Sequence, residues 1–129
     1  MKFSKIILLL TVLATVSISC RPEDALQKDI SGRWEGAFGF GNDIPTFYEK
    51  WELEKNGEMN SYDPFGGLYA TGTWELEGDE FEAQYSPVGE TYSYTFSGFY
   101  DDDLDEITGT WGETPSAIDG GTFAMYKQE

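Results

Sequence analysis

From Ile30 onward, apolar and polar residues alternate with a period of two, the mark of strands that bury one face. Trp34, Gly36, Phe38 and Phe40 share a face, with Glu35 opposite. Phe47, Trp51 and Leu53 lie against Tyr48, Lys50, Glu52 and Glu54. Trp74 and Leu76 alternate with Glu75 and Glu77, and Phe81, Ala83 and Tyr85 with Glu80, Glu82 and Gln84. Tyr92, Tyr94 and Phe96 alternate with Ser93, Thr95 and Ser97; Ile107, Gly109 and Trp111 with Thr108 and Thr110; Phe123 and Met125 with Thr122 and Ala124. No stretch after Ile30 carries the apolar stripe of an amphipathic helix.

Turn residues punctuate these runs. Asn56-Gly57 predicts a tight hairpin of type I′, because both residues accept positive φ. Gly78-Asp79 predicts a second tight turn, and Pro64–Gly67, Ser86–Gly89, Asp101–Asp103 and Ser116–Gly121 are longer loops. The pattern predicts an all-β domain: an eight-stranded antiparallel up-and-down meander closing into a small barrel, since closure removes both exposed edges. Its polar, acidic outward positions suit a barrel in water, not one facing lipid. A Gly-x-Trp echo at Gly32–Trp34, Gly72–Trp74 and Gly109–Trp111 reads as a strand-start device, the glycine admitting a neighbouring backbone and the tryptophan plugging a barrel end.

The chain before Ile30 divides in two. Lys2 and Lys5 precede the apolar run Ile6–Val16, which is too short for a comfortable membrane span, and Ser17-Ile18-Ser19-Cys20 follows it. This reads as a signal peptide over residues 1–19, a polar tether over 20–29 and the barrel over 30–129. Ser17-Ile18-Ser19-Cys20 resembles the lipobox of bacterial lipoproteins. The resemblance implies that Cys20 receives a diacylglycerol, becomes the acylated N-terminus and holds the protein to a membrane of the cell envelope. The lack of Asp at position 21 fits the outer membrane, on the same resemblance.

Charge and composition narrow the function classes. The chain has a formal net charge of −16, which becomes −18 once Lys2 and Lys5 leave with the signal segment. Such a surface repels nucleic acid and steers toward cationic ligands or a basic protein partner. There is no histidine and only one cysteine, so no imidazole base, no Ser-His or Cys-His nucleophile, no His/Cys zinc site and no internal disulfide are expected. The acids stand mostly at outward positions, and no cofactor is implied. The expectation is a protein that is not an enzyme.

Gly32-Arg33-Trp34 at the first strand, with Asp105-Glu106-Ile107-Thr108-Gly109-Thr110-Trp111 and Gly120-Gly121-Thr122-Phe123 near the end, resembles bacterial lipocalin-like lipoproteins; the Gly-Thr-Trp strands are also similar to avidin-like barrels. The resemblance implies a calycin-type barrel that holds a small apolar or aromatic molecule.

The candidate ligand-binding residues are therefore the inward aromatics Trp34, Phe38, Trp51, Trp74, Tyr85, Tyr92, Tyr94 and Trp111, with Phe81, Phe96 and Phe123 beside them. An eight-stranded barrel is wide enough either to be filled by side chains or to hold one small ligand. The pattern leaves both open: a carrier with its mouth near Phe38–Phe47 and Phe65–Tyr69, or a solid barrel acting on protein partners through its acidic outer surface. Asp101, Asp103 and Asp105 have the alternate spacing that starts a calcium loop. Glu106 and Gly112 stand where such a loop needs its sixth-position glycine and twelfth-position glutamate, so a solvated turn is the weightier reading.

Overall fold

The computed structural model describes Lys28–Glu129. Signal peptide, lipobox and Cys20 lie outside the described residues, as does the tether up to residue 27. Eight strands follow in order: β1 (Gly32–Phe40), β2 (Phe47–Leu53), β3 (Glu58–Tyr62), β4 (Leu68–Glu77), β5 (Glu80–Pro87), β6 (Tyr94–Asp101), β7 (Glu106–Glu113) and β8 (Gly121–Lys127). Each pairs antiparallel with the next, and β8 returns to β1, so the meander closes. The expected all-β up-and-down barrel is the fold.

The alternation does what the pattern requires. Trp34, Trp51, Leu53, Phe81, Phe96, Ile107, Phe123 and Met125 are buried inside, while the glutamates of β4 and β5 point outward. Trp51 sits at the centre, stacked on Phe81 with ring centroids 5.6 Å apart and meeting Phe96 edge-on at 5.2 Å. One end of the barrel is closed. There Ile30 is buried, its carbonyl accepts from Trp34 Nε1 at 2.9 Å, and Lys28 bridges Asp79 and Asp102 across two turns. The opposite end is framed by the connections 41–46, 63–67, 88–93 and 114–120.

Two local expectations are corrected. The Asn56-Gly57 hairpin forms, but only Gly57 takes a positive φ (93°). Gly57 N–H donates to the Glu54 carbonyl and Glu54 N–H to Glu58, which makes a type I turn closed by a glycine bulge; Asn56 Oδ1 accepts from Glu58 N–H instead of turning left-handed. Second, the Gly-x-Trp echo is not one repeated device. Gly32 opens β1, but Gly72 and Gly109 lie inside β4 and β7, and Trp111 stands at the end opposite to Trp34. Strand β3, which no alternating run marked in the sequence, has Met59 and Ser61 as its inward residues.

Candidate functional site

At the open end the packed interior gives way to a cavity of about 340 Å³. Its walls are mainly aromatic: Phe38 and Phe40 from β1, Tyr48 from β2, Tyr62 from β3, Tyr69 from β4, Tyr85 from β5, Tyr94 and Phe96 from β6 and Trp111 from β7. A register shift between Ser61 and Tyr62 leaves Tyr69 as an extra residue on β4, and this bulge brings Tyr62 and Tyr69 to the cavity. Trp111 Nε1 donates to the Gly39 carbonyl at 3.0 Å and ties β7 to the end of β1. Phe38, Phe40, Phe47 and Trp111 pack ring against ring beside it.

One charged side chain lines this space from within the barrel. Glu49 takes an inward position of β2, between Phe47 at the rim and Trp51 in the core, and is only 4 % exposed. Its Oε2 accepts two hydrogen bonds, from Trp51 Nε1 and from the Tyr85 hydroxyl, each 2.7 Å long. Oε1 accepts none from the described residues. Burial pushes the carboxyl up to about 7, against the pull of those two donors. Burial, then the charge of Glu49, lifts the Tyr85 phenol well above its ordinary range. Ser61 Oγ lies buried near the Tyr85 hydroxyl without meeting hydrogen-bond geometry. A largely apolar cavity with a few convergent polar groups and a displaced carboxyl has the chemistry of a small-molecule site.

The sequence-derived site residues separate into four groups. Phe38, Tyr85, Tyr94 and Trp111 line the cavity together. Trp34 and Trp51 are fully buried core, and Trp51 reaches the site through its bond to Glu49 and its edge-on contact with Phe96. Trp74 is half-buried and donates from Nε1 to the Glu54 carbonyl near the closed end, away from the cavity. Tyr92 precedes β6 and is 40 % exposed at the rim, where its ring meets Tyr94 at 5.6 Å. The alternation had placed Tyr92 inside; the strand begins later because residues 88–93 form the loop into β6.

The acidic turn is arranged differently from its spacing. Asp101, Asp102 and Asp103 are exposed with their carboxylates within 4.8 Å of one another. Asp105 turns away to accept from the Tyr100 hydroxyl at 2.7 Å. Asp101 Oδ1 caps the turn by accepting from Asp103 N–H and Leu104 N–H. Those bonds give the cluster a local structural use.

Glu49 is the site residue that the alternation did not single out. The signal was present: a glutamate at an inward position, between Phe47 and Trp51, on a strand otherwise apolar on that face. Comparison with protein-family models, with curated proteins and with solved structures returned no match.

Proposed function

We propose that the protein is a lipid-anchored envelope protein whose lipocalin-like barrel binds one small apolar or aromatic molecule and carries or sequesters it without catalysis. The observation that carries this reading is the aromatic cavity of about 340 Å³, which opens at one end of an otherwise packed barrel. The size is in the ordinary range for small-molecule pockets. The described chain enters the barrel at Lys28–Ile30, at the end opposite the cavity.

A second reading, docking to a basic protein, is favoured by the outer face of β4 and β5. Glu75 stands directly opposite Glu82, and Glu77 opposite Glu80. Like charges across a strand pair cost stability, and a cationic partner would relieve the cost.

One experiment tests both halves of the leading proposal. The full chain is expressed in a diderm bacterium, extracted from membranes and weighed by native and then by denaturing mass spectrometry. The expected result is a chain beginning at Cys20 with acyl mass that survives denaturation, plus one adduct that does not. A chain with no acyl mass removes the anchor, and a native mass equal to the denatured mass removes the carrier and favours a protein partner.

A further inference from the structure

The cavity's only buried charge has no counter-ion. Among the described residues, the ion pairs are Lys28 with Asp79 and Asp102, and Lys55 with Asp29; none involves Glu49. An ionised carboxylate in a dry site is costly until a positive group joins it. Glu49 presents Oε1 without a donor, in a chamber lined by Tyr48, Tyr62, Tyr69, Tyr94 and Trp111. Aromatic rings attract cations through their negative faces, so walls and floor favour the same sign of charge.

The approach to the cavity carries the same sign. The four connections that frame the mouth contain Asp43, Asp63, Glu90 and Asp119 and not one lysine or arginine. Of the five basic residues in the described region, Lys28, Arg33, Lys55 and Lys127 lie toward the closed end. Lys50 is the exception, and it lies on the outer face of β2 over the Tyr62 ring at 6.0 Å. A mouth lined by one sign of charge with apolar walls concentrates ligands of the other sign.

From this geometry we infer that the ligand is a protonated amine with an apolar or aromatic body, its ammonium donating to Glu49 Oε1 and its body resting in the cavity against the packed rings of Phe38, Tyr94 and Trp111. The inference rests on the proposal that the cavity binds a small molecule, and it names the class. The ammonium supplies the charge that Glu49 lacks, and the tyrosine walls supply cation–π contact. A neutral ligand of the same shape leaves the carboxyl uncompensated, and an anionic one meets it as a like charge.

The pH dependence follows from the groups around Glu49. These are Tyr48 on its own strand, Tyr62 on β3, Asp63 just beyond it, Tyr69 on β4, Tyr85 on β5 and Tyr94 on β6. The phenols of Tyr48, Tyr69, Tyr85 and Tyr94 are held above their ordinary range, chiefly by burial, so they stay neutral while Glu49 titrates.

Three indole probes separate the possibilities by calorimetric titration: tryptamine, the alcohol with a hydroxyl in place of its amine, and indole-3-propionate. Every strand lies within 32–127 and each pairs with a neighbour on both sides, so a chain beginning at Arg21 keeps the whole barrel. At about pH 8.5, tryptamine is expected to bind at one site at least about tenfold more tightly than the alcohol, and the propionate not at all. At about pH 5.5, where Glu49 holds its proton, the amine loses that advantage. Glu49→Gln loses it at both pH values and still takes the alcohol; should that variant not fold, the pH comparison on the parent chain decides. An alcohol that binds as tightly as the amine overturns the amine and leaves the small-molecule reading standing. Failure of all three probes overturns both.

Discussion

Gly109→Val is expected to lower stability by about 3 kcal/mol or more, the upper range for overpacking a closed structure. Gly109 faces Gly98 across β6 and β7, where the two backbones cross closely. A Cβ on Gly109 would stand 2.5 Å from the Gly98 Cα and nearer still to the Ser97 carbonyl oxygen. These are backbone atoms and cannot swing aside as the end of a side chain can. Strands β6 and β7 would have to separate, and with them the ladder that closes the barrel. For a domain of this size the cost corresponds to a fall in Tm on the order of 15 °C. Thr110→Val, one residue on and outward-facing, keeps the same β-branched bulk on the strand and should move Tm by no more than a few degrees. Thermal unfolding of the two variants beside the parent checks the claim; equal, small shifts would mean that the close approach at Gly109 is not what closes this wall.

The second large effect is the pH dependence imposed by Glu49. Its folded value of about 7 exceeds the ordinary 4.5. Between these two, the unfolded chain has released a proton that the folded chain still holds. The stability contributed by the protonated carboxyl is therefore complete below about pH 4.5, is lost as pH rises through about 7, and is gone above it. The largest loss is about 3 kcal/mol. Glu49→Gln keeps an oxygen for Trp51 Nε1 and the Tyr85 hydroxyl and has nothing to titrate. Between about pH 4 and about pH 8.5 the variant should gain roughly 3 kcal/mol relative to the parent, measured by denaturant unfolding at each pH. Other carboxylates contribute equally to both chains and cancel in the difference. Parallel stability curves would show that Glu49 is ionised throughout and compensated in some other way.

Both effects turn on features that the linear pattern shows unevenly. The strands were legible because the outward positions are glutamate, serine and threonine while the inward ones are aromatic, as at Glu80–Tyr85 and Ser93–Ser97. Strand β3 was legible only from the turn before it. Met59 and Ser61 make a weak inward face; Ser61 stands opposite Trp51 across the β2–β3 hairpin, and its other neighbour, Tyr85 on β5, is supplied only by the closed barrel. Tyr92 and Trp74 have the right parity but the wrong depth. Alternation tells which face a residue takes and not how far along the barrel it stands, so rim, core and closed end look alike. Glu49 shows the same limit from the other side. An inward glutamate at the rim would be solvated and unremarked, whereas one step deeper it becomes the sole buried charge of an aromatic chamber. Gly109 was marked by its place in a Gly-x-Trp echo, but its partner across the sheet, Gly98, emerges only from the register.

The measurement that bears most directly on the mouth cavity as the binding site is a titration of the four tryptophan indole N–H signals by NMR. The isotope-labelled barrel is mixed with the small-molecule extract of the bacterial envelope. Trp111 lines the cavity and Trp51 is bonded to Glu49 at its wall, while Trp34 and Trp74 donate to the Ile30 and Glu54 carbonyls toward the closed end. The expected result is that the Trp51 and Trp111 signals move and saturate together while those of Trp34 and Trp74 stay in place. Four unmoved signals, or movement confined to Trp34 and Trp74, would contradict a ligand site at the mouth of this barrel.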